Sequence, residues 1–490
     1  MITVDKTSPK PLYLQVFDSC RKEILSGTLH TGAKLLALRT LALDLGVSRN
    51  TVEMAYRQLV QEGYVSSRPG AGYIVEELDL DEMLLAWQQT DEQPEAEAAA
   101  APHEPGARRV HSSDGLDALC AAYPIAYDFT YGDLPDESFP AELWRKLTSE
   151  ALFGPEAAQA SRYGEDHGDR TLRTEIARRL AVARGVRCRP DQVIVQAGTQ
   201  PALMKLARLF DAARDVVAME NPGFDGARIV FEEEGFAVEE LAVDENGAWD
   251  IDALEASRAK LAFVTPSSQF PTGAVMTLAT RQRLLSWAAN RDAYIIEDDY
   301  CREFRYNALP LPALQSLDPH GRVVYMGTFS KALSPAVRMN YLVLPDGLLK
   351  RWNRVFAGFR NDVPWLSQAV VRALLQQGHW DRLLKRAQTR NKRKHAALTQ
   401  ALQKHLGRRI RIVQGGAGLH LLVATDDGRD QEELVEQAAR AGVRVYGTRQ
   451  YWMQGTETGE HVLVGFSRID EADIEPGVRA LARAWFPDGA

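Results

Sequence analysis

In the N-terminal part of the chain, apolar residues recur every three or four positions, the spacing typical of amphipathic helices. They predict a first helix that ends near Gly27 and a second over about Leu38–Leu45 that Gly46 closes. A third helix begins after the N-cap residue Ser48 and ends at Gly63. The apolar positions of the first and third helices are Leu12, Val16, Cys20, Ile24, Val52, Ala55, Tyr56 and Leu59.

Residues 64–75 predict two short strands around the turn Pro69-Gly70. Three helices followed by this β-hairpin predict a winged helix-turn-helix domain over residues 10–78. The next segment changes character, because Asp91–Arg108 is too rich in Glu, Ala and Pro to form a core. We therefore expect a linker over residues 79–124.

Beyond this linker, short apolar runs typical of strands alternate with helical stretches, which predicts a mostly parallel sheet with helices on both faces. The final stretch predicts a smaller α+β subdomain. The chain is thus multidomain, with an α/β region over residues 125–490. The strand candidates are Val193–Val195, Val216–Met219, Leu261–Val264, Tyr294–Ile296, Val323–Met326 and Tyr341–Leu344, and in the subdomain Ile410–Val413, Leu419–Val423, Val443–Tyr446 and Val462–Phe466.

The composition is that of an ordinary globular protein of 490 residues, with 45% hydrophobic and 25% charged residues. No apolar run approaches the roughly 18 residues needed to cross a bilayer, and the polar N-terminus has no secretory segment. The four cysteines are far apart and form no metal-binding pattern. We therefore expect a cytoplasmic protein with no metal site and no membrane partner.

The net charge of −8 argues by itself against a nucleic-acid partner. The charge is uneven, however, because residues 1–75 carry nine Lys and Arg residues against six Asp and Glu residues. A basic module on an acidic chain predicts that contact with double-stranded DNA is confined to the N-terminal end.

The polar tip of the third helix has the residue types of a DNA-recognition helix. Arg49 can pair with guanine and Asn50 with adenine, while the Ser48 and Thr51 hydroxyls reach phosphates. A helical hairpin with a solvated polar face is the plain alternative, but here the turn, cap, polar tip and glycine-containing wing follow in order. With phosphate contacts from the second helix and the wing, the predicted DNA-binding residues are Arg39, Ser48, Arg49, Asn50, Thr51 and Arg68.

A second group of residues provides what pyridoxal phosphate requires: an amine for an imine, an acid at the ring nitrogen, a phenolate donor, a stacking surface and a phosphate cup. Lys331 follows a predicted strand and supplies the amine. Asp298, at the carboxyl end of another strand, would keep the pyridine nitrogen protonated. Tyr300 would donate to the phenolate oxygen, and Phe224 would lie flat on the ring.

The phosphate cup is predicted at a turn between a strand and a helix that begins near Pro201. Backbone N–H groups at the positive end of a helix bind anions, and nearby hydroxyl and guanidinium groups add to this site. The residues predicted to hold the phosphate are Gly198, Thr199, Gln200, Thr328, Ser330 and Arg338.

The N-terminal module resembles the GntR family of winged-helix regulators through Gly46-Val47-Ser48-Arg49, Thr51-Val52 and the wing glycines. The Pro and Ser that usually precede Arg39 are replaced, so one phosphate contact is absent. The order of the cofactor residues resembles fold-type I aminotransferases. The segments 265–273 and 297–306, with Ser330 to Arg338, make the whole chain similar to the MocR/GabR group of GntR-type regulators.

This resemblance implies a DNA-binding transcriptional regulator that senses pyridoxal phosphate or a small amino compound through an aminotransferase-like domain. It implies a head-to-tail homodimer, in which each DNA-binding module packs against the partner's aminotransferase-like domain. It also implies Arg449 as the residue that binds a carboxylate of the effector.

Three positions depart from these regulators, and a fourth, Phe270, departs from the active aminotransferases as it does in the regulators. Ser268 stands where the group often has His, and Phe224 stands where it often has Tyr. Phe270 stands where active aminotransferases have an Asn that hydrogen bonds the phenolate. Gly226 stands where the GABA-responsive member has an effector-binding Arg, with Arg228 displaced by two residues, which argues against GABA as the effector.

Two other functions stay open at this point. One is a working aminotransferase that carries a DNA-binding appendage, and the other is a cofactor-free dimerisation scaffold for the DNA-binding module. Phe270 favours the regulator over the enzyme, whereas the complete set of Lys331, Asp298 and Tyr300 supports the enzyme.

Overall fold

The computed structural model describes residues 11–25, 28–61, 63–68, 72–76, 122–244, 247–306, 312–413, 416–453 and 459–487. The chain divides into two compact units, Met1–Glu97 with Thr277–Ser286, and Ala98–Met276 with Trp287–Ala490. Nearly all of the predicted linker lies outside the described residues.

The first unit contains the predicted winged helix. Gly46 closes the second helix with a left-handed φ of 58°, and the Ser48 hydroxyl caps the third by accepting from the Thr51 N–H at 3.1 Å. The apolar residues predicted from helical spacing are buried, apart from Leu12, which is partly exposed at the start of the first helix. The elements are α1 (Leu12–Leu25), α2 (Leu38–Leu45), α3 (Arg49–Gln61) and the antiparallel strands β1 (Val65–Arg68) and β2 (Gly72–Val75).

The second unit begins with a short strand and then alternates strands and helices. Its first half contains β3 (Tyr127–Asp128), α4 (Ala141–Phe153), α5 (Arg170–Arg184), β4 (Val193–Gln196), α6 (Thr199–Ala207), β5 (Val216–Asn221), α7 (Asp225–Glu233), β6 (Ala237–Ala242), α8 (Ile251–Ala256), β7 (Ala259–Val264), α9 (Leu278–Asn290), β8 (Tyr294–Asp298), α10 (Leu314–Leu317), β9 (Val323–Thr328) and β10 (Asn340–Val343). Helix α9 runs across the boundary between the two units.

The remaining elements include one long helix and the C-terminal subdomain. They are α11 (Asp346–Val355), α12 (Trp365–Gln376), α13 (His379–His405), β11 (Ile410–Val413), β12 (His420–Thr425), α14 (Gln431–Arg440), β13 (Val443–Arg444), β14 (Tyr446–Gly447), β15 (His461–Gly465) and α15 (Glu471–Trp485). The described part also contains the 3-10 turns Asp136–Ser138, Ala157–Ser161, Pro190–Gln192, Pro335–Val337, Gly407–Arg409 and Arg449–Tyr451.

A seven-stranded sheet in the order β4-β10-β9-β8-β7-β5-β6 forms the centre of the second unit. The prediction of a mostly parallel sheet is confirmed, and the exception is β10, which runs antiparallel to both β4 and β9. A parallel return needs a crossover, usually a helix. The connection from β9 to β10 contains only the 3-10 turn Pro335–Val337 and no crossover helix, so β10 returns antiparallel to β9.

Two strand predictions needed correction. The edge strand β6 was not predicted, because Glu239 and Glu240 in its middle interrupt the apolar run. The single strand predicted over Val443–Tyr446 is two strands, β13 paired with β3 and β14 in the four-stranded antiparallel sheet β11-β12-β15-β14. The chain breaks at the buried residue Val445, which packs into the core of the subdomain.

Among the described residues, no helix is long and apolar enough to cross a membrane. The same part of the chain contains no group of three His, Cys, Asp or Glu residues placed to hold a metal ion.

Candidate cofactor and DNA-binding sites

At the start of α3, Ser48, Arg49 and Asn50 are exposed, as is Arg39 on α2. The Ser48 hydroxyl accepts from the Thr51 backbone and lies 2.8 Å from the Thr51 hydroxyl, so both side chains also serve the helix terminus. Arg49 and Asn50 extend from a helix start whose backbone is fixed by this cap. The side chain of Arg68, predicted to meet phosphates from the wing, lies outside the described part of the structure.

Lys331 lies in the turn that follows β9, against the segment after β3. Its Nζ lies 4.6 Å from the ring centroid of Tyr131, and a β-carbon on Gly132 would come within 3.1 Å of it. Burial lowers the pKa of Lys331 below its usual value, although Cys301, Asp133 and Asp298 oppose the effect. The lowered pKa favours the neutral amine, which is the nucleophilic form of a lysine.

The three carboxylates at the end of β8 have three separate environments. Glu297 accepts from the backbone N–H groups of Leu314 and Gln315 at 2.7 and 2.9 Å and so caps α10. Asp298 is buried, and burial followed by the charge of Asp299 raises its pKa to about 8.

Asp299 lies in a buried network with Arg184. The Arg184 Nε donates to Asp299 at 2.8 Å, and the Tyr325 hydroxyl donates to the same carboxylate at 2.7 Å. Burial alone would raise the pKa of Asp299, but the charges of Arg184 and Arg302 outweigh it and lower the pKa. Asp299 therefore forms the ion pair with Arg184, whereas Asp298 is the carboxylate of the two that interacts electrostatically with Lys331.

The buried hydroxyls of Tyr300 and Ser268 lie close to each other, and neither makes a hydrogen bond of regular geometry to another group. Burial raises the pKa of Tyr300 well above its usual value, and the neighbouring Ser268 hydroxyl partly opposes this. A buried hydroxyl without a partner costs about 1–3 kcal/mol, so such groups usually await a ligand or water.

Of the predicted phosphate residues, Gly198 and Arg338 lie against each other, at the end of the sheet where β4 and β9 both end. Gly198 has φ of 117° at the start of α6, and a β-carbon there would lie 2.6 Å from Arg338 Nη2. Arg338 is exposed and adopts φ of 47°, an uncommon left-handed conformation for a side-chain residue. The Thr328 hydroxyl accepts from the Ser330 N–H at 3.0 Å, and the Gln200 side chain donates to the Gly226 carbonyl at 3.4 Å. The helix start and the guanidinium therefore face the same space.

Phe224 does not stand alone at the site. Its ring lies edge-on to Phe270 with centroids 6.3 Å apart, and a β-carbon on Gly226 would come within 2.6 Å of it. The ring thus occupies the space that a side chain at residue 226 would need. An arginine at 226 would therefore require the Phe224 ring to take another rotamer.

The two arginines considered for a ligand carboxylate are both engaged. Arg228 donates to the backbone carbonyls of Trp452 and Gln450 at 2.7 and 2.6 Å and holds that loop in place. Arg449 pairs with Asp430 at 2.7 Å and also with Glu432. A carboxylate ligand at Arg449 would therefore compete with two carboxylates of the protein.

Three further residues at the site were not predicted. Tyr131 follows β3 and covers Lys331, and Tyr451 packs edge-on against Phe270 with centroids 4.6 Å apart. His420 starts β12, is buried, and its Nε2 donates to the Pro271 carbonyl at 2.7 Å. Burial lowers the pKa of His420 to about 4, so the ring is neutral and its Nδ1 is a buried acceptor without a partner. A histidine inside an otherwise apolar strand was the available signal.

A buried carboxyl supports the turn that covers the site. Glu220 accepts from the Thr265 N–H at 3.0 Å, the Thr265 hydroxyl at 2.5 Å and the Trp249 indole at 2.8 Å. Burial raises the pKa of Glu220 to about 7, although these hydrogen bonds oppose it. The side chain of Gln269, on the same turn, donates to the Pro222 carbonyl at 2.7 Å.

Comparison with known proteins agrees with this division of the chain. Residues 12–75 match the family "Bacterial regulatory proteins, gntR family", and residues 126–462 match "Aminotransferase class I and II". The chain is 34% identical to the uncharacterized HTH-type transcriptional regulator YdeL of Bacillus subtilis, over 98% of each chain. It is 32% identical to the probable rhizopine catabolism regulatory protein MocR of Rhizobium meliloti, over 99% of this chain and 96% of MocR.

Among solved structures, the chain is similar to LysN, the α-aminoadipate aminotransferase of Thermus thermophilus in complex with N-(5'-phosphopyridoxyl)-L-leucine. The TM-score is 0.67 and the identity 27%, over 77% of this chain and 94% of LysN. The second unit thus has an aminotransferase fold joined to a gntR-type domain. The chain belongs to the family of GntR-type transcriptional regulators with an aminotransferase class I and II domain, to which MocR also belongs.

Proposed function

We propose that this regulator binds operator DNA through its winged helix and holds pyridoxal phosphate at Lys331, so that the cofactor or a small amino compound changes DNA binding. The observation that supports it most is that buried Asp298 lies within electrostatic range of Lys331, while the Arg338 guanidinium lies against the helix start at Gly198. A buried lysine within electrostatic range of a buried carboxyl is typical of a functional site, which favours a cofactor site over a dimerisation scaffold.

The residues present fit pyridoxal phosphate. The space between Gly198 and Arg338 combines a helix start with a guanidinium, which suits a phosphate dianion. In the protein alone, the influence of Lys331 on buried Asp298 is outweighed by burial and by the charge of Asp299, and a protonated pyridine nitrogen would add a counter-charge. The Tyr300 hydroxyl, which makes no hydrogen bond of regular geometry, fits as donor to the phenolate oxygen.

When bound, pyridoxal phosphate supplies an electrophilic carbon and an electron-withdrawing ring. Lys331 would provide the neutral amine for covalent attachment, because burial lowers its pKa and so makes loss of its proton easier than for a lysine in water. Tyr131 covers that amine and limits the access of water. Phe224 and Phe270 line the site with apolar surface, and Thr199, Gln200, Thr328 and Ser330 add polar groups near the phosphate position.

A sensor is favoured over a working aminotransferase by the state of the carboxylate-binding positions. Phe224 fills the space beside Gly226, Arg228 is bound to the backbone, and Arg449 is paired with two carboxylates. A substrate carboxylate would find no free arginine among these residues. A regulator requires only that a ligand bind two conformations with different affinities.

We further propose the domain boundaries 10–78, 79–124 and 125–490, a cytoplasmic location and a head-to-tail homodimer. The family resemblance supports the homodimer, and sedimentation of the purified protein with and without DNA tests it. The effector, on this proposal, bears an amino group that reacts at the cofactor, and a carboxylate on the effector, where present, would have to displace Asp430 and Glu432 to bind Arg449.

The test uses the promoter region beside the gene as a fluorescent duplex. We expect the affinity of the protein for this duplex to change on addition of pyridoxal phosphate, and to change again with the correct amino compound. The Lys331→Ala variant should bind DNA but lose the response. DNA binding that is indifferent to pyridoxal phosphate in both proteins would refute the sensor, and no DNA binding would refute the regulator.

A further inference from the structure

The long helix α13 (His379–His405) is strongly basic, although it belongs to the aminotransferase-like unit of an acidic protein. It contains eight Lys and Arg residues and one Asp, and residues 382–394 contain seven basic residues and no acidic one. The whole chain has a net charge of −8. The basic segment therefore lies far in sequence from the winged helix, where sequence reasoning confined the contact with DNA.

The basic residues of α13 divide into an inner and an outer group. The inner group is Lys394 and Arg390. Lys394 is buried and donates to the Ser467 carbonyl at 3.1 Å, and half-buried Arg390 interacts electrostatically with Glu137. The outer group is exposed and, at 3.6 residues per turn, falls within an arc of about 120°. This basic stripe consists of Arg382, Lys385, Arg386, Lys392 and Arg393.

Within the described part of the chain, no residue of the basic stripe forms an ion pair with a carboxylate. Arg382 contacts only the His379 ring, at 2.9 Å. By contrast, two exposed arginines on other helices of the same unit have acidic partners: Arg145 pairs with Glu142 and Arg178 with Glu175, both at 2.8 Å. Five cations without counter-charges are unfavourable to one another, unless a polyanion neutralises them.

We propose that the basic stripe of α13 is a second DNA-binding surface, which holds phosphates of the duplex outside the bases that the winged helix reads. The inference rests on the proposed DNA-binding function and extends it to the aminotransferase-like unit. From residue 382 to 393 the stripe is about 16 Å long at 1.5 Å per residue. Duplex DNA presents a negative charge every 1.7 Å or so, so several phosphates lie within that length.

Such contacts contribute affinity without sequence preference. They release condensed counterions, so the logarithm of the binding constant falls by about 0.9 per contact for each tenfold rise in salt. This property separates the proposal from a merely solvated helix face, which has no effect on the salt dependence.

The test compares the full-length protein with the triple variant Lys385→Gln/Arg386→Gln/Arg393→Gln. The probe is a long duplex of mixed sequence, titrated between about 50 and 200 mM salt. We expect the slope of log affinity against log salt to become shallower by about two to three. The control, Lys350→Gln/Arg351→Gln/Arg354→Gln on α11, removes the same charge from exposed positions elsewhere and should leave the slope close to that of the unchanged protein.

An unchanged slope in the α13 variant overturns the proposal, and so does an equal loss in the α11 control, because net charge would then explain it. If the α13 variant keeps its slope but loses self-association in sedimentation, the stripe binds an acidic protein surface instead. Should the triple variant fold poorly, Arg386→Gln alone is expected to reduce the slope by about 0.9. If the unchanged protein binds no DNA, the proposed DNA-binding function is refuted. An unchanged slope in the α13 variant refutes only the proposal that the basic stripe contacts DNA.

Discussion

The guanidinium of Arg338 lies directly against the α-carbon of Gly198, so close that a β-carbon at residue 198 would come within 2.6 Å of Nη2. The two residues come from the chain segments after β9 and β4, and both have positive φ. Antiparallel β10 separates those strands in the sheet. Their contact fixes the width of the proposed phosphate site, which makes it a direct target for mutation.

Gly198→Ala should weaken the binding of pyridoxal phosphate by tenfold or more, which corresponds to about 1.4 kcal/mol. The new methyl group would displace Arg338 and strain a backbone with φ of 117°. Absorbance titration with pyridoxal phosphate measures the effect. Gly358→Ala is the control, because Gly358 has φ of 81° with open space around it. Equal affinity in Gly198→Ala and the unchanged protein would place the phosphate elsewhere.

Lys331→Ala should abolish the visible absorption band of the purified protein, because the imine with pyridoxal phosphate requires this amine. Reduction with borohydride followed by peptide mass spectrometry should place the adduct on Lys331 in the unchanged protein. Lys205→Ala, at a lysine paired with Asp362 at 2.9 Å, should keep the band. A visible spectrum unaffected by Lys331→Ala would exclude this lysine.

The neighbouring carboxylates Asp298 and Asp299 should give opposite phenotypes. Asp298→Asn should lose the cofactor more readily while the fold stays intact. Asp299→Asn leaves the buried charge of Arg184 without its partner and should destabilise the protein by about 3–5 kcal/mol. Denaturant unfolding and cofactor dissociation, measured on both variants, separate the two roles. Cofactor loss confined to Asp299→Asn would show that the proposed register of the acidic run is wrong.

The stability of the cofactor-free protein should fall as pH rises through the range in which Asp298 ionises. Its pKa is about 8 in the folded chain and about 3.9 when unfolded, so the folded state holds the proton more tightly. The stabilising contribution is therefore complete below about pH 4 and is lost by about pH 8, at no more than about 1.4 kcal/mol per pH unit.

Urea unfolding of the unchanged protein and of Asp298→Asn, at about pH 5 and about pH 8, isolates this contribution. Acids that do not interact with Asp298 titrate in both proteins and cancel in the comparison, whereas Glu220, which helps to raise the pKa of Asp298, contributes to the difference. The variant should lose less stability than the unchanged protein between the two pH values. Identical pH dependence in both would mean that Asp298 is already ionised in the cofactor-free fold.

Arg49→Ala should weaken binding to the specific operator more than binding to random DNA, with a loss of about 1–3 kcal/mol on the specific site. The reason is the exposed position of Arg49 at the capped tip of α3. Arg57→Ala is the control on the same helix, since Arg57 pairs with Glu53 at 2.7 Å. A loss of equal size on both DNAs, at fixed salt, would identify Arg49 as a phosphate contact.

Sustained transamination should be negligible, because the three arginine positions that could orient a substrate carboxylate are absent or engaged. A screen of amino donors with several keto acids, followed for continued keto-acid production, measures it. Robust turnover that disappears in Lys331→Ala, combined with no ligand effect on DNA binding, would favour the enzyme over the sensor.

Much of the fold was predictable because buried strands are short apolar runs, as at Leu261–Val264, and helix ends carry caps, as at Ser48. The direction of β10 relative to its neighbours was harder to predict, since an apolar run does not indicate whether the strand is parallel or antiparallel to them. The signal was the short interval between Val323–Met326 and Tyr341–Leu344, which leaves little room for a crossover helix.

The site was predictable where roles follow from chain order, as for Lys331 after β9 and Asp298 at the end of β8. Contacts between distant segments were not. The ion pairs of Arg449 involve the start of α14, and His420 reaches Pro271 from another sheet. Neither partner is marked by spacing along the chain, so only the folded structure reveals what these side chains contact.

The contact between Phe224 and Gly226 has a consequence for how ligand preference changes during evolution. A larger residue at 226, including an arginine that could bind a carboxylate, collides with the aromatic ring at 224. A single substitution at 226 therefore displaces the surface on which a ring would stack before it gains a new ligand contact. A change of ligand preference at 226 therefore depends on whether the ring at 224 can take another rotamer, and it does not require replacing the aromatic residue.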